Sequence, residues 1–400
     1  MKVSDRVQRI FWQLATTSGD TTIIITGGAL IFSVIITMLI VTASGLLASC
    51  QDAWLSWGQL YFCYDPVQTA RLLFISPLEN KNNLAYTLRE TTILVFTGLA
   101  VAISFRSGLF NIGVQGQMIF GSIAAAVGLL LVAPLAPTGL IGTMLLLPIG
   151  ILIGAVVGGV WGLIPGVMKA YWNVNEVITT IMLNFVAANF AFALVVLYYQ
   201  NPTSDIVETA PLPPTASLDP LFLAPRSNFS TIALLAAVGC VIVVYMFQKY
   251  SILGYSFRIS GLQSKAAEYS GIDGKRTVIY SMGLSGAMGG VGGAIWAMMI
   301  YGGWAPGMPP YGFDGITVSI LAGNNPIGVL PAALLFGILQ SGSVSVDFAS
   351  SVPKQLVDIL RGMIVLFVAM PGFFKMLGRY INREGRYNRN PPQQRNPNEK

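Results

Sequence analysis

FRISGLQSKAAEYSGIDGKR, residues Phe257–Arg276, is a polar, cationic island in a sequence otherwise suited to lipid. Apolar runs flank it, Thr231–Phe247 before and Thr277–Ile300 after. A membrane span needs about 20 predominantly apolar helical residues, so these two runs read as spans and the island as a loop joining them on one side of a bilayer. Its small residues follow G-x4-A-A-x3-G, with Gly261, Ala266, Ala267 and Gly271. Ser264 is placed to cap a short helix and Gly271 to end it. The paired alanines would give that helix a low-relief surface that a partner's groove could enclose. Without a partner, the same stretch is a solvated loop helix.

Composition extends the membrane reading to the whole chain. Of 400 residues, 54% are hydrophobic and 10% charged, against about 25% charged in soluble domains. The mean hydropathy is +0.66. These values define an all-α polytopic membrane protein. Its 43 glycines suit helices that approach closely in lipid. Lys2, Arg6 and Arg9 precede the apolar run Thr22–Ala48 without a short h-region or a clear cleavage site, so an uncleaved first span is expected.

Charge and cysteine content narrow the function. The net charge is +6, and with a cytoplasmic N-terminus most of the 23 lysines and arginines fall in cytoplasmic segments. That is the positive-inside pattern rather than a nucleic-acid surface. The tail Arg379–Lys400 is expected to be disordered and to touch anionic lipid. The chain has no histidine and three cysteines, which excludes His/Cys metal sites and Cys-His catalysis. Cys50 and Cys63 share an outer segment and could pair, although two lone cysteines carry no framework signal. Cys240 lies in an apolar run and reads as a packing residue.

About ten crossings are expected, with both termini cytoplasmic. Residues 1–21 form a cytoplasmic N-terminal segment, 22–377 a transmembrane domain with its loop at 249–276, and 378–400 a basic tail. The outer segment Ser49–Arg89 carries Trp54, Trp57, Tyr61 and Phe62 with mixed charge and reads as an interfacial or amphipathic helix. A proline-rich outer loop follows Val177–Tyr199. Ile316–Leu321 and Val329–Leu339, interrupted by Asn324-Asn325-Pro326, read as a broken hairpin forming spans eight and nine. Asn111–Leu131 before Asn175–Asn184, and Phe313-Asp314-Gly315 before Val352–Arg361, suggest a weak repeat of the kind common in transport folds.

Three segments place polar groups against the apolar frame. They contain Asn111, Gln115 and Gln117; Asn175, Glu176, Thr179, Thr180 and Asn184; and Asp314, Asn324 and Asn325. In lipid such groups are costly unless paired or facing a cavity. Glu176, Thr180 and Asn184 recur every fourth residue, so a helix aligns them on one face. That face either lines a path for a hydroxylated solute or binds helices together, and the sequence leaves both open. For Gln115 and Gln117 the glycine-rich context favours helix packing or a helix break.

The loop of Phe257–Gly271 resembles the cytoplasmic loop by which permease subunits of ATP-binding-cassette importers dock onto a separate ATPase. FNIGVQGQMIFGS, NEVITTIMLN, GYSFRISGLQSKAAEYSGI and YGFDGITVSILAGNNPIGVLPAALLFG resemble permeases of the nucleoside and simple-sugar (branched-chain amino acid/ribose-type) family, the nucleoside branch more closely. The likeness covers most of Thr87–Phe374. One departure is Gln115, where the family pattern usually has glutamate. The resemblance implies discontinuous helices, a cytoplasmic coupling helix carrying Gly261, Lys265, Ala266, Ala267, Glu268 and Gly271, and a homo- or heterodimer of permeases. It also implies a cytoplasmic ATPase that holds the ATP, an extracytoplasmic solute-binding protein and a location in the plasma membrane. The chain itself lacks a phosphate loop, since Gly274-Lys275-Arg276 has neither the earlier glycine nor a following hydroxyl.

Two rivals belong to other classes. Gly283-Leu284-Ser285-Gly286 mimics a serine-protease motif, but no histidine can serve as its base. An ion-coupled secondary transporter would need an intramembrane ion site, with Glu176, Asp314 and the Asp358–Arg361 pair as candidates. A carrier of that kind has no use for a docking helix.

Overall fold

The computed structural model describes residues 20–48, 50, 53–57, 60–218 and 227–369. The first 19 residues, the basic tail 378–400 and the outer-loop residues Asp219, Pro220, Pro225 and Arg226 lie outside the described residues. The chain divides into two compact units, one of residues 1–72 with 346–400 and one of residues 73–345.

In the first unit, α1 (Asp20–Leu47) packs with the C-terminal helix. The aromatic outer segment departs from the expected interfacial helix. Leu55–Trp57 (β1) and Leu60–Phe62 (β2) form an antiparallel hairpin in which Leu55 pairs with Phe62 and Trp57 with Leu60. The aromatic and aliphatic side chains there fit a strand as well as a helix, and a disulfide between Cys50 and Cys63 closes the loop. The Cys63 amide donates to the Gly45 carbonyl at 3.1 Å, tying the hairpin to the end of α1. The amphipathic helix follows as α2 (Pro66–Phe74), started by Asp65, whose carboxylate accepts from the Val67 and Gln68 amides at 2.8 and 3.1 Å.

The second unit is a bundle of α3 (Lys81–Arg106), α4 (Val114–Val132), α5 (Leu140–Trp172), α6 (Glu176–Leu194, continued to Tyr199), α7 (Thr231–Tyr250), α8 (Ile252–Leu262), α9 (Ser264–Tyr269), α10 (Gly274–Ile295, continued to Tyr301), α11 (Tyr311–Leu321) and α12 (Pro326–Ala349). The last helix, α13 (Lys354–Ala369), belongs to the first unit.

Among the described residues, seven helices are long and apolar enough to cross a membrane: α3, α4, α5, α6, α7, α10 and α12. The count of ten crossings is therefore not reached by these criteria. The broken hairpin has a different form from the one expected. α11 has 11 residues, which at about 1.5 Å each reach about 16 Å, half of a bilayer's hydrocarbon core. It cannot cross alone.

Glycine sets the core of this unit. Gly150, Gly154, Gly158, Gly162 and Gly166 recur every fourth residue on α5, and the middle three face Gly286 and Gly290 of α10. A Cβ added at Gly158 would lie 2.6 Å from the Gly286 carbonyl oxygen. Without side chains the two backbones approach closely, and dispersion replaces the hydrophobic drive that lipid does not supply. Gly121 of α4 meets Gly290 from the other side. Ser285, the serine of the protease-like motif, is buried in this core and donates to the Ala100 carbonyl at 2.6 Å. Gly283-Leu284-Ser285-Gly286 is packing.

Candidate functional site

Two helices of the bundle begin inside it rather than at its ends. After α3, the chain runs irregularly through Leu109–Gly113 before α4 starts. After α10, it runs irregularly through Gly302–Pro310 before α11 starts. A helix start exposes N–H groups without intrahelical partners, and in an apolar interior each must find an acceptor. Polar side chains supply these acceptors. Asn111 Oδ1 accepts from the Gly113 amide at 3.0 Å, and Asn184 Oδ1 of α6 accepts from the Gly116 amide at 2.8 Å. Gln115 Oε1 accepts from the Gly312 amide at 2.8 Å, while its Nε2 donates to the Pro309 carbonyl at 3.1 Å. The two broken segments therefore meet, and Gln115 joins them. A glutamate in its place would lose the donor that the Pro309 carbonyl requires.

The remaining amides complete a buried node. Asn111 Nδ2 donates to Gln117 Oε1 at 3.0 Å and to Ser285 Oγ at 2.8 Å. Asn184 Nδ2 donates to the Ile112 carbonyl at 2.9 Å. Gly116 has no room for a side chain, since an added Cβ would lie 2.9 Å from Asn184 Oδ1. Asn111, Gln115, Gln117 and Asn184 thus spend their hydrogen bonds on one another, on Ser285 and on the backbone.

The α6 stripe is divided along its length. Asn175 caps the helix, its Oδ1 accepting from Val177 N at 2.9 Å. Glu176 pairs with Lys169 at 3.0 Å. Thr179 and Thr180 are buried and bond back to the carbonyls of Asn175 and Glu176 at 2.9 and 2.7 Å. On α11, Asp314 is half-buried in the first turn. Asn324 turns the chain with φ of 57°. Its carbonyl accepts from Arg106 Nε at 3.2 Å and its Oδ1 from Ser319 Oγ at 3.0 Å. Asn325 Oδ1 accepts from the Ile327 amide at 3.2 Å at the start of α12.

A buried charged pair escapes sequence reasoning. Glu90 is 1% exposed and lies 2.8 Å from Arg89, which stacks 4.0 Å from the centroid of the Tyr86 ring. Tyr311, at the start of α11, donates its hydroxyl to Glu90 at 2.8 Å. The only signal in the sequence is an acidic residue at the edge of an apolar run. Nothing local links it to a tyrosine far along the chain.

The island takes the expected helical form with two corrections. α9 is a six-residue helix, Ser264–Tyr269. Gln263 occupies the cap position and Ser264 is the first helical residue. Gly271 ends the turn with φ of +82°, as its permissive backbone allows. The alanine pair does not form one surface. Ala267 is 1% exposed and faces the bundle, whereas Ala266 faces out with Lys265 and Glu268. Leu262 and Tyr269 flank Ala266 at 83% and 94% exposure. Gly261 packs on the Arg106–Gly108 turn, where an added Cβ would lie 2.9 Å from the Gly108 amide. The loop is anchored inward at Gly261 and Ala267 and presents an apolar, charged-rimmed face outward.

Residues 83–369 match the family described as branched-chain amino acid transport system / permease component. The chain belongs to this permease family. All four motifs quoted above fall within the matched range. The permease is 37% identical over 292 residues to the guanosine ABC transporter permease protein NupP of Bacillus subtilis, covering 71% of this chain and 80% of that one. It is 33% identical to the nucleoside ABC transporter permease protein NupB of Lactococcus lactis, with 78% and 85% covered. It is 31% identical to the glucose ABC transporter permease protein TsgB13 of Haloferax volcanii, with 78% and 82% covered. A solved metal-chelate type ABC transporter in an inward-facing conformation covers 88% of this chain and 98% of that one at 16% identity, with a TM-score of 0.36.

The protein is a multi-pass membrane permease component, not an enzyme, and the ATP that drives the transporter belongs to a partner subunit. Permeases of this class work with an ATPase and a solute-binding protein. Family membership sets aside both the protease and the ion-driven carrier.

Proposed function

We propose that this permease imports nucleosides, with simple sugars as the next candidate class, across the plasma membrane. Support comes from the two relatives at 37% and 33% identity, whose names specify guanosine and nucleosides. The sugar relative at 31% identity keeps the second class in view. Residues 22–377 serve as the permease domain, assembled as a homo- or heterodimer with both termini cytoplasmic. One end of the bundle gathers Arg106, Lys169, Lys265 and Lys275 around α9, which agrees with a cytoplasmic placement of that end.

Within the domain, the polar residues divide into two roles. Asn111, Gln115, Gln117, Asn184, Asn324 and Asn325 hold the broken helices, while Glu176, Thr179, Thr180 and Asp314 are the stronger candidates for facing solute, with Asn175 shaping the start of α6. The outward face of α9 is the ATPase-docking surface, centred on Ala266 between Leu262 and Tyr269, with Lys265 and Glu268 at its rim. The observation that carries this assignment is the split of the alanine pair, one anchoring and one presented.

Co-purification of the permease with its ATPase, followed by uptake of labelled guanosine in proteoliposomes, tests the proposal. Guanosine uptake should require ATP and binding protein and resist competition by glucose. Ala266→Arg should leave a folded permease that no longer retains the ATPase, whereas Ala267→Arg should disturb the loop itself. An Ala266→Arg permease that still holds the ATPase and transports would sink the docking assignment. Glucose displacing guanosine would redirect the substrate reading.

A further inference from the structure

α6 packs on the bundle along Thr180, Asn184, Ala187 and Ala191, all buried. Its opposite face carries Ile178, Met182, Phe185, Asn189 and Phe192, and every one of them is exposed. Their spacing, alternately four and three residues, sets them in one stripe along a helix. The apolar members suit lipid and Asn189 does not. The span Glu176–Tyr199 is 24 residues long. At 1.5 Å per residue, Asn189 lies about 2 Å along the axis from the middle of that span, deep within a hydrocarbon core of about 30 Å. Away from the ends of the seven spans, it is the one exposed amide or charged side chain among the described residues.

Lipid tails offer an amide no hydrogen bond, so an exposed amide at this depth marks a face that meets something polar. Asn189 Nδ2 donates one N–H to the Phe185 carbonyl at 2.8 Å. The second N–H and the Oδ1 lone pairs remain for a ligand. Where α5 and α10 close on each other, glycines let the backbones meet. The stripe on α6 has no small residue, and Phe185 and Phe192, 64% and 43% exposed, would hold a second helix away from the amide. These rings stand at i−4 and i+3, beside Asn189 on the same face. Aromatic rings with one donor and one acceptor between them fit a nucleobase, which has a flat face to stack and adjacent donor and acceptor atoms on its edge.

We propose that this face of α6 carries the base of a nucleoside in transit, with Asn189 bonding the base edge and Phe185 and Phe192 stacking against the ring. The ligand class rests on the nucleoside reading above, and the second permease of the proposed dimer supplies the opposite wall. A sugar has hydroxyls for the amide but no flat ring for the aromatic pair, so the face favours nucleosides over glucose.

The test uses the co-purified transporter in lipid nanodiscs. Asn189→Cys, Phe185→Cys and, on the exposed apolar face of α5, Leu152→Cys are each combined with Cys240→Ala and treated with a charged, water-soluble thiosulfonate. Mass spectrometry of the permease chain follows the reaction. Asn189→Cys and Phe185→Cys should react roughly tenfold or more faster than Leu152→Cys, since a thiol ionises in water and not in hydrocarbon. Guanosine should slow both reactions and glucose should not. In proteoliposomes, Asn189→Leu should cut the rate of guanosine uptake by about fivefold to a hundredfold, the range of two neutral hydrogen bonds. Reaction no faster than at Leu152 places the stripe against lipid or a sealed helix and overturns the inference. Reaction that guanosine does not slow, in a transporter that imports guanosine, overturns it while leaving the substrate reading intact. Slowing by glucose alone, in a transporter that imports only glucose, overturns the substrate reading and this ligand together.

Discussion

Asn184→Ala is the sharpest test of how the bundle holds its broken helices. Asn184 accepts from Gly116 N at 2.8 Å and donates to Ile112 O at 2.9 Å, bridging α6 to the start of α4. Alanine leaves a backbone donor and a backbone acceptor unpaired in an apolar interior. An unpaired buried group costs about 1–3 kcal/mol, so two set an upper range of about 2–6 kcal/mol. Hydrogen bonds between membrane helices average only about 0.6 kcal/mol each, which sets a floor near 1 kcal/mol for the two. A loss of about 2 kcal/mol corresponds to a fall in Tm of roughly 4–8 °C, by the scaling for domains of about 150–250 residues. Asn184→Asp keeps the acceptor but sets a carboxylate against the Ile112 carbonyl, so it should be at least as damaging. Tryptophan fluorescence during heating in detergent provides the readout. An Asn184→Ala permease whose Tm stays within 1 °C of the parent would refute the structural role. If it also lost uptake, Asn184 would move to the solute path.

Three further outcomes are expected. Gly158→Val forces a branched side chain onto the Gly286 carbonyl, already 2.6 Å from a Cβ, and should abolish a monodisperse peak in size-exclusion chromatography. Gly239→Val, where a Cβ meets nothing within 4 Å, should elute as the parent does. Maleimide labelling of the denatured, unreduced chain should modify Cys240 alone, and all three cysteines after reduction; labelling of Cys50 or Cys63 without reductant would contradict the pairing. Glu208, in the loop after α6, is held below the usual carboxylate range mainly by the Tyr301 hydroxyl, which donates to it at 2.6 Å. A depressed pKa stabilises the fold above the unfolded value, about 4.3, and that contribution is lost as pH falls through the folded value. Proteolysis of this loop should therefore rise in the parent as pH falls below the ordinary glutamate range. Tyr301→Phe should shift that rise to higher pH, and identical profiles would refute the contact.

The amino-acid order by itself determined the membrane class, most helix positions and the family. Apolar runs about 20 residues long admit little but helices, because lipid offers no hydrogen bonds to the backbone. The island between Thr231–Phe247 and Thr277–Ile300 had to be a loop for the same reason. What remained hidden depended on partners distant in the chain. Asn184 read equally as a solute ligand or as glue, and Gln115 as packing or a helix break without a named partner, until the amides of Gly116 and Gly312 were found against them. Glu90 had no visible role until Tyr311 reached it from the start of α11. Ala266 and Ala267 are chemically identical, and only the direction in which α9 lies on the bundle separates the anchor from the exposed face. Trp54, Trp57, Tyr61 and Phe62 suit an interfacial helix and a strand alike, so the hairpin rested on strand pairing and the Cys50–Cys63 bridge. Local sequence sets which groups must be satisfied in lipid, and tertiary structure decides which group satisfies which, because those partners meet only when the helices pack.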